Sequence, residues 1–379
     1  MGTVTDVDKI GVEWCNMFYK VPLGVAMTDT PAAATAEPVL SGFRVAPNSV
    51  AVVFCGGTGR CGTNVLKRVF ARHPEVYTLP FEIRFLLDPG GIIDFYTSYS
   101  TSWSPFLADD RLRRLRALLA DVEREQVVYH LPDWLALHCG WGRWVAPRRY
   151  AGWELARHLP RFRAHNHRLL RALVEFSYDG VWPGTASYTV APEVAFAPPQ
   201  GPDQLRALLG GYLATLFAEL LRSTRRRVLF LDETWALLFM RELHELLPRA
   251  RFIHMLRDPR DVIASFSQQR WCPRDRVAAA RFYLELMDRI LAHRQELGTR
   301  YYEVRLEALV AEPRLTLTNL CEFLGLAFTE ELLEVDLSRP HSDRWRSEFN
   351  AHERQAINAL VSEKLMQLGY PPEHESVEN

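Results

Sequence analysis

The chain has 379 residues, of which 48% are hydrophobic and 24% are charged, so it is long enough to bury one large core or two smaller ones. Its 45 basic residues are balanced by 46 acidic ones, and a formal net charge of −1 excludes the basic excess of a general nucleic-acid binder. Lysine occurs only at positions 9, 20, 67 and 364, which leaves 41 arginines. Arginine suits bidentate anion binding, but GC-rich codon usage would produce the same excess.

Targeting and cysteine patterns indicate the compartment. The N-terminal residues include acidic side chains without an apolar signal segment, and no run of residues is long enough to span a membrane. The six cysteines form no Cys-x-x-Cys pair and no zinc-type spacing with histidine. We therefore expect a cytoplasmic protein with free thiols, no metal, no nucleic-acid partner and no membrane contact. The oligomeric state is left open, with a homodimer as one option.

The first part of the chain is predicted to be an extension followed by a strand and a helix. Residues 29–41 are rich in Ala, Pro and Thr, which is typical of a linker, so residues 1–47 are predicted to lie outside the main fold. Residues 49–55 form an apolar run that predicts a strand. A glycine-rich turn follows, and then apolar residues at helical spacing up to Pro74.

The middle of the chain, about residues 100–222, shows helical patterns and no clear strand. It is predicted to be a helical insertion on the acceptor side of the sheet. Its tryptophans are either ordinary core anchors or the lining of an acceptor pocket. They are Trp103, Trp134, Trp141, Trp144, Trp153 and Trp182.

Strand and helix patterns alternate again after the insertion. The predicted strands are 227–231, 251–256 and 301–306, and the intervening helices are 235–247, 260–268 and 277–291. A last helix covers 354–368, and residues 371–379 are a tail. Buried strands that alternate with helices predict an α/β fold with three layers, in which a central parallel sheet carries helices on both faces within a domain of residues 48–370.

The first motif is the glycine-rich turn, GGTGRCGTN at residues 56–64. Glycines between a strand and a helix let backbone N–H groups converge on an anion at the helix N-terminus. An NTPase P-loop would place lysine where this chain has Thr63, and the cation lies inside the loop, as Arg60. The segment is therefore either a phosphate cradle or a tight turn.

The second motif is RDPRDVIASF at residues 257–266, directly after a predicted strand. Arg257 at the strand end and Ser265 in the following helix can converge on one anion at the carboxyl edge of a parallel sheet. Asp258 and Pro259 indicate a helix start. Taken alone, Arg257 and Asp258 could equally form a local ion pair.

Together these motifs resemble the PAPS-dependent sulfotransferase family, over most of residues 50–370. The resemblance implies a P-loop-like sulfotransferase fold with two donor-binding segments. In that family the first loop binds the 5′-phosphosulfate, which implies donor contacts from Gly57, Gly59, Arg60, Cys61, Gly62, Thr63 and Asn64. The second segment implies that Arg257 and Ser265 hold the 3′-phosphate. Residues 345–350 resemble a late W-K-x-x-F-T stretch and imply a phosphate contact from Arg346, with Arg339 and Arg344 as alternatives.

Residues 73–84 resemble the branch with bacterial and protein-tyrosine sulfotransferases, where a Glu-x-Arg follows the first helix. This implies that Glu82 is the general base and that Arg84, with Arg60, completes the catalytic set. Without the resemblance, the sequence would favour a surface ion pair between Glu82 and Arg84. Phenol-specific relatives often use histidine as the base, so four histidines stay open as alternatives: His130, His138, His165 and His167.

The chain departs from the family pattern at three positions. Cys61 stands where serine is usual, Leu306 replaces a common tyrosine, and Glu233 occupies a position where many relatives carry a lysine near the transferred group. The lysine's charge must then come from Arg60 and Arg84, unless the site is altered.

The resemblance implies a sulfotransferase that moves a sulfuryl group from PAPS to a hydroxyl of a small-molecule acceptor, releasing PAP without a metal. The acceptor would be a phenol, a sugar or a secondary metabolite. Three alternatives remain: a peptide-tyrosine sulfotransferase, a P-loop kinase or NTPase with Asp232 as a magnesium ligand, and an inactive sulfotransferase-like nucleotide-binding protein.

Overall fold

Five parallel strands build the central sheet of the computed structural model, which describes residues 43–123, 139, 155–180, 193–337 and 342–371. These residues belong to one compact unit of residues 40–379. The strands, in chain order, are β1 (Val52–Gly56), β2 (Val76–Thr78), β3 (Phe176–Asp179), β4 (Glu193–Phe196), β5 (Val228–Asp232), β6 (Arg251–Leu256) and β7 (Tyr301–Arg305). The predicted boundary of the N-terminal extension stays a prediction.

The described helices lie between these strands and after them. They are α1 (Thr63–Phe70), α2 (Arg84–Leu87), α3 (Ile92–Thr101), α4 (Pro105–Glu123), α5 (Leu155–His158), α6 (Phe162–Leu173), α7 (Pro202–Thr224), α8 (Met240–Leu246), α9 (Pro259–Phe266), α10 (Arg276–Ala292), α11 (Arg294–Leu297), α12 (Leu306–Ala311), α13 (Pro313–Leu324), α14 (Arg344–Glu348) and α15 (Ala351–Gln367). None of these helices combines the length and the hydropathy needed to cross a bilayer.

The main sheet has the strand order β2-β5-β1-β6-β7, and all its pairings are parallel. Every residue of β1 and β5 is buried, because alternate side chains enter cores on opposite faces. Phe54 and Leu229 lie in the core that includes α7, whereas Val53 and Phe230 lie in the core beside α1 and α13. This double burial explains the apolar runs in the sequence. The predicted three-layer α/β fold is confirmed.

The insertion contains two strands that the sequence analysis did not predict, so the expectation of a segment without clear strands was wrong. Strands β3 and β4 pair antiparallel, and the rings of Phe176 and Phe196 stack with centroids 4.8 Å apart. All four residues of β3 are exposed, and its aromatic residues alternate with polar ones. A strand without an apolar run leaves no burial signal to detect, although alternating Phe176 and Tyr178 were a weak indication.

One predicted helix also differs from the structure. Residues 235–247 contain a 3-10 turn, Ala236–Phe239, followed by the shorter helix α8. This tight turn begins at the carboxyl end of β5, next to the glycine-rich loop. It brings the residues after β5 into the candidate site.

Candidate active site

The glycine-rich loop turns sharply between β1 and α1. Gly59, Arg60 and Gly62 all have left-handed backbones, with φ of 86°, 59° and 100°. A side chain at Gly62 would be strained by this φ, and its Cβ would lie 3.0 Å from Cδ1 of Leu306. Helix α1 begins at the next residue, so its first N–H groups and its dipole face the loop. The loop can therefore hold an anion.

Cys61 lies beneath this loop. Its side chain is 1% exposed, and a Cβ at Gly57 would lie 2.6 Å from Sγ of Cys61. Burial raises the pKa of the Cys61 thiol to about 11, which favours the neutral thiol. The Cys61 side chain thus fills the core, and its backbone N–H is the group that can contact an anion. Thr63 is buried at the helix start, whereas Asn64 is exposed.

The two sequence motifs meet at Arg60. Its Nε donates a hydrogen bond to Oγ of Ser265 at 2.8 Å, across 205 residues of sequence. Nη1 of Arg257 donates to the carbonyl oxygen of Arg60 at 3.1 Å. Ser265 and Arg257 are 1% and 6% exposed. Two guanidinium groups and a hydroxyl therefore converge at the carboxyl edge of β1 and β6, where α/β sheets bind ligands.

Helix α9 contributes Asp261, which contacts this cluster. Oδ2 of Asp261 lies 3.8 Å from Nη2 of Arg257, and the same carboxylate accepts hydrogen bonds from the N–H groups of Asp343 and Trp345 at 2.9 and 3.2 Å. Burial raises the pKa of Asp261, although the two N–H groups and Arg257 oppose this shift. Burial lowers the pKa of Arg257, and Asp261 opposes that change. The Asp261 carboxyl therefore attaches the late segment to the cluster.

Arg346 lies on that late segment, at the edge of the cluster. Its guanidinium lies 4.5 Å from the centre of the Trp345 ring, and its Nε donates to Asp343 at 3.1 Å. The guanidinium of Arg260 also lies over this ring, 4.2 Å from its centre. Of the alternatives, Arg344 forms an ion pair with Glu348, and Arg339 lies outside the described residues.

Glu82 and Arg84 form the predicted ion pair, but they do so beside the loop. Oε2 of Glu82 lies 2.9 Å from Nη2 of Arg84, and Oε1 accepts a hydrogen bond from the hydroxyl of Thr234 at 2.8 Å. The carbonyl of Thr234 also accepts the N–H of Gly57 at 3.1 Å. Thr234, which sequence reasoning missed, thus joins the candidate base to the loop. Glu82 is 23% exposed and Arg84 32%, so both can reach a ligand.

The Glu233 side chain is bound to the backbone of the segment that carries Glu82. Its side chain accepts a hydrogen bond from the N–H of Ile83 and is 4% exposed. Burial raises the pKa of Glu233 well above its ordinary value; the Ile83 N–H opposes this shift, and the charge of Glu82 adds to it. Burial therefore favours the neutral carboxyl. Glu233 positions the segment that carries Glu82 and Arg84.

Asp232 is also bound from within the protein. Its Oδ2 lies 3.1 Å from Nζ of Lys67 on α1, and the two side chains are 3% and 15% exposed. Sequence reasoning missed this pair. The rarity of lysine in the chain and the position of Lys67 one turn after the loop were the available signals.

The histidines offered as alternative bases lie elsewhere or outside the described residues. His165 on α6 pairs with Glu219 on α7 at 2.7 Å, and His167 is exposed. His130 and His138 are among the residues that are not described. The ring of His158, which was not considered, lies 5.5 Å from that of Phe81, next to Glu82.

Two tryptophans outside the insertion approach the loop. The nearest atoms to a Cβ at Gly59 would be Cη2 of Trp271 at 3.3 Å, Cγ2 of Thr234 at 3.5 Å and Cη2 of Trp235 at 3.8 Å. Within the insertion, Trp103 donates to the Ala197 carbonyl and packs against the core, as an anchor does. The other five tryptophans of the insertion lie outside the described residues.

Comparison with known proteins identifies the family. Similar solved structures include the sulfotransferase domain of the Synechococcus PCC 7002 olefin synthase, at 20% identity and a TM-score of 0.46, covering 86% of this chain and 96% of that one. They also include the sulfotransferase domain from the curacin biosynthetic pathway (16%, TM-score 0.45, 86% and 99%) and STF9 from Mycobacterium avium (14%, 0.42, 86% and 79%). No curated protein matches at a significant level. A family model described as the sulfotransferase family matches residues 52–330, which is well over half of the sequence, and the chain therefore belongs to the sulfotransferase family.

Proposed function

We propose that this chain transfers a sulfuryl group from PAPS to the hydroxyl of a small-molecule acceptor. The observation that carries the proposal is the hydrogen bond between Arg60 and Ser265, together with the contact from Arg257 to the Arg60 backbone. A donor with phosphate groups at both its 5′ and 3′ positions needs two anion sites, and the position of the two motifs at one sheet edge supports this assignment.

The proposed donor-binding residues form two groups, one for the 5′-phosphosulfate and one for the 3′-phosphate. The backbone of the loop and the first turn of α1 would hold the 5′-phosphosulfate, through Gly57, Gly59, Arg60, Cys61, Gly62, Thr63 and Asn64. Arg257 and Ser265 would hold the 3′-phosphate, with Arg346 as a further contact on the late segment. Arginine forks match phosphate oxygens geometrically, and their charges are fixed at any physiological pH.

Transfer requires a base and a stabilised leaving group. The acceptor oxygen forms a bond to sulfur as the bond from sulfur to the bridging phosphate oxygen breaks, and PAP leaves with that electron pair. Glu82 would take the acceptor proton, and Arg84 would keep the carboxylate oriented through its 2.9 Å ion pair. Arg60 would offset the negative charge that develops on the leaving oxygen.

The environment of Asp232 favours this proposal over an ATP-using kinase. A magnesium-binding aspartate needs free oxygens at the phosphate site. Here Oδ2 of Asp232 is bound by Lys67 at 3.1 Å, and Oδ1, which has no hydrogen-bond partner among the described residues, is buried in a side chain that is only 3% exposed, so burial keeps this carboxylate from the phosphate site. Thr63 also occupies the position where a P-loop lysine would contact the phosphates.

Calorimetry with PAP tests donor binding. We expect PAP to bind the full chain without magnesium, and an Arg257→Gln variant to lose at least tenfold in affinity because one charged phosphate contact is removed. Binding of ATP with Mg²⁺ in place of PAP would contradict the proposal. Arg289→Gln, which removes an exposed arginine paired with Glu285, is the matched control.

Release of PAP with phenols and sugars tests catalysis and the base. For an accepted substrate we expect Glu82→Gln to lower kcat by about 10²- to 10⁴-fold and to leave PAP affinity within about threefold. Glu334→Gln, which removes an exposed glutamate paired with Arg72, should keep full turnover. Full turnover in Glu82→Gln would show that another group is the base. Tight PAP binding without turnover of any acceptor would indicate an inactive binder.

A further inference from the structure

An exposed tryptophan lies directly against the glycine-rich loop. Trp271 is 48% exposed, although large aromatic side chains are highly buried on average. Its ring meets Trp235 edge to face at 5.3 Å between centroids and Phe266 at 5.5 Å. Phe266 is fully buried, so the Trp271 ring is supported from the core. The rings of Trp235 and Trp271 form a preformed apolar surface, here called the aromatic wall (Trp235 and Trp271), and Phe266 supports it from the core.

The aromatic wall extends from the loop to the candidate base. Trp271 and Trp235 both lie near Gly59, and Thr234, the neighbour of Trp235, has its methyl group at the same place. The hydroxyl of Thr234 donates to Glu82 at 2.8 Å. An alcohol whose oxygen reaches the Glu82 carboxylate beside the loop therefore brings the rest of its structure close to these rings.

We propose that the aromatic wall is one side of the acceptor site and selects planar aromatic alcohols. This inference rests on the proposed function and narrows its acceptor class. An aromatic ring gains stacking or edge-to-face contacts with Trp235 and Trp271 beyond the burial of apolar area. A sugar would bring several hydroxyl groups against rings that offer them few partners, and each unpaired group would cost binding free energy.

Ternary binding to the PAP-saturated full chain tests this proposal without requiring turnover. The matched probes are 2-naphthol and its saturated counterpart decahydro-2-naphthol, measured by calorimetry beside N-acetylglucosamine. We expect 2-naphthol to bind about tenfold more tightly than the saturated alcohol and more tightly than the sugar. Equal affinity of the two alcohols, or tighter binding of the sugar, would overturn the proposal.

Variants of Trp271 separate the acceptor role from a donor role. Trp271→Ala should weaken 2-naphthol binding about tenfold, Trp271→Phe should restore most of it, and PAP affinity should stay unchanged. Phe176→Ala, which removes an equally exposed aromatic ring on the β3–β4 hairpin, is the control. Loss of PAP affinity in Trp271→Ala would place the ring against the donor and overturn the assignment. Failure of the wild-type chain to bind PAP would instead refute the proposed function.

An independent observation concerns the opposite edge of the sheet, where the strands begin. A pocket of about 220 Å³ is lined there by the first residues of β1, β5 and β6 and by the end of α13. Four arginines line it: Arg227, Arg249, Arg251 and Arg300. It lies at the amino ends of the strands, whereas the candidate active site lies at their carboxyl ends. It is therefore a separate feature.

Among the described residues, three of the four arginines of this pocket have no acidic partner. Arg227 pairs with Glu75, but within the described part of the chain no carboxylate lies within 4 Å of Arg249, Arg251 or Arg300. Burial, together with the charges of Arg249 and Arg300, lowers the pKa of Arg251. The Arg251 guanidinium is held 5.7 Å over the Phe323 ring. A multivalent oxyanion would relieve this repulsion.

We infer that this pocket binds a phosphate or sulfate group. The test is thermal unfolding of the PAP-saturated chain in about 10 mM sulfate, phosphate or adenosine 5′-phosphate, against sodium chloride at equal ionic strength. We expect at least one oxyanion to raise Tm by about 2–4 °C. A rise with sulfate or phosphate would indicate a site for the free inorganic ion, and a rise with adenosine 5′-phosphate alone would indicate a site for a phosphate group attached to a larger molecule. The double variant Arg251→Gln/Arg300→Gln should abolish this rise in Tm. At low salt it should also have a higher Tm than the wild type, because the repulsion among the arginines is removed. The control Arg289→Gln should keep the rise in Tm. A rise that persists in the double variant, or no rise in the wild type, overturns the inference.

Discussion

Substitution of Glu233 tests why a buried carboxyl stands beside the candidate base. Glu233→Gln keeps an oxygen that can accept the Ile83 N–H, whereas Glu233→Ala removes this acceptor and leaves a small cavity. A buried N–H without a partner costs about 1–3 kcal/mol, so we expect Glu233→Ala to lower the free energy of unfolding by at least that amount. We expect a cost below about 1 kcal/mol for Glu233→Gln. Activity should follow the same order, because the Ile83 contact positions Glu82 and Arg84.

The pH dependence adds a second measurement. Burial raises the pKa of Glu233 in the folded state above the ordinary value of 4.5, which applies to the unfolded chain. At a pH between the unfolded-state pKa and the folded-state pKa, the folded chain therefore binds the proton more tightly than the unfolded chain. The stability supplied by this proton is fully present below pH 4.5 and is lost as pH rises through the folded-state pKa. Wild type should therefore lose stability relative to Glu233→Gln with rising pH, by up to about 1.4 kcal/mol per pH unit.

Urea unfolding of the full chain between pH 4 and pH 9 measures both effects. Neighbouring groups that titrate or carry charge, namely Glu82, Arg84, Asp232 and Lys67, are common to wild type and variant, so the difference isolates Glu233. Glu285→Gln, an exposed glutamate paired with Arg289, should show a flat difference. The reasoning is refuted if Glu233→Gln follows the wild-type pH curve, or if Glu233→Ala is as stable as Glu233→Gln.

Two further substitutions test the frame of the site by urea unfolding. Lys67→Met leaves the buried Asp232 carboxylate without its cation and should lower the free energy of unfolding by about 3–5 kcal/mol. The control Lys364→Met, whose partner Asp288 is 65% exposed, should lower it by less than about 1 kcal/mol. Equal losses in the two variants would mean that burial does not strengthen the pair of Lys67 and Asp232. Gly62→Ala places a Cβ 3.0 Å from Leu306 at a φ of 100° and should cost about 1–3 kcal/mol and weaken PAP binding; an unchanged midpoint would show that the loop relaxes freely.

The central sheet could be predicted because its strands are buried on both faces. Burial of β1, β5 and β6 requires continuous apolar runs, and such runs are visible in the sequence. The convergence of Arg257 and Ser265 was expected for a related reason, because ligands of parallel sheets bind at the carboxyl edge. The family resemblance placed Arg60 on the same donor, but the direct hydrogen bond from Arg60 to Ser265 was not predicted. These predictions depended on patterns that the fold itself requires.

The contacts that complete the site could not be predicted in this way. The hydrogen bond from Thr234 to Glu82 and the ion pair of Lys67 with Asp232 depend on which way individual side chains turn after the chain has folded. Ordinary residues such as Thr234 carry no pattern of their own. The position of Trp271, after the end of α9, was equally hidden, because a single tryptophan in a loop is most often an anchor.

The last residue of β5 and the two residues that follow it explain how the site could work without the usual lysine. Asp232 binds Lys67, Glu233 binds the Ile83 N–H, and Thr234 binds Glu82. Because burial favours the neutral form of Glu233, replacing lysine by glutamate removes one positive charge without adding a negative charge beside Glu82.

Three basic side chains near the loop, Lys67, Arg84 and Arg60, could offset the negative charge that develops on the leaving oxygen. Lys67 is bound to Asp232, and Arg84 is bound to the candidate base, which leaves Arg84 to orient Glu82 more than to stabilise a leaving group. Arg60 is exposed in the loop; Ser265 holds its guanidinium, and Arg257 binds its backbone carbonyl. A cation held in place before the reaction needs no reorganisation when charge develops. We therefore propose Arg60 for the electrostatic role that a lysine after β5 would otherwise share.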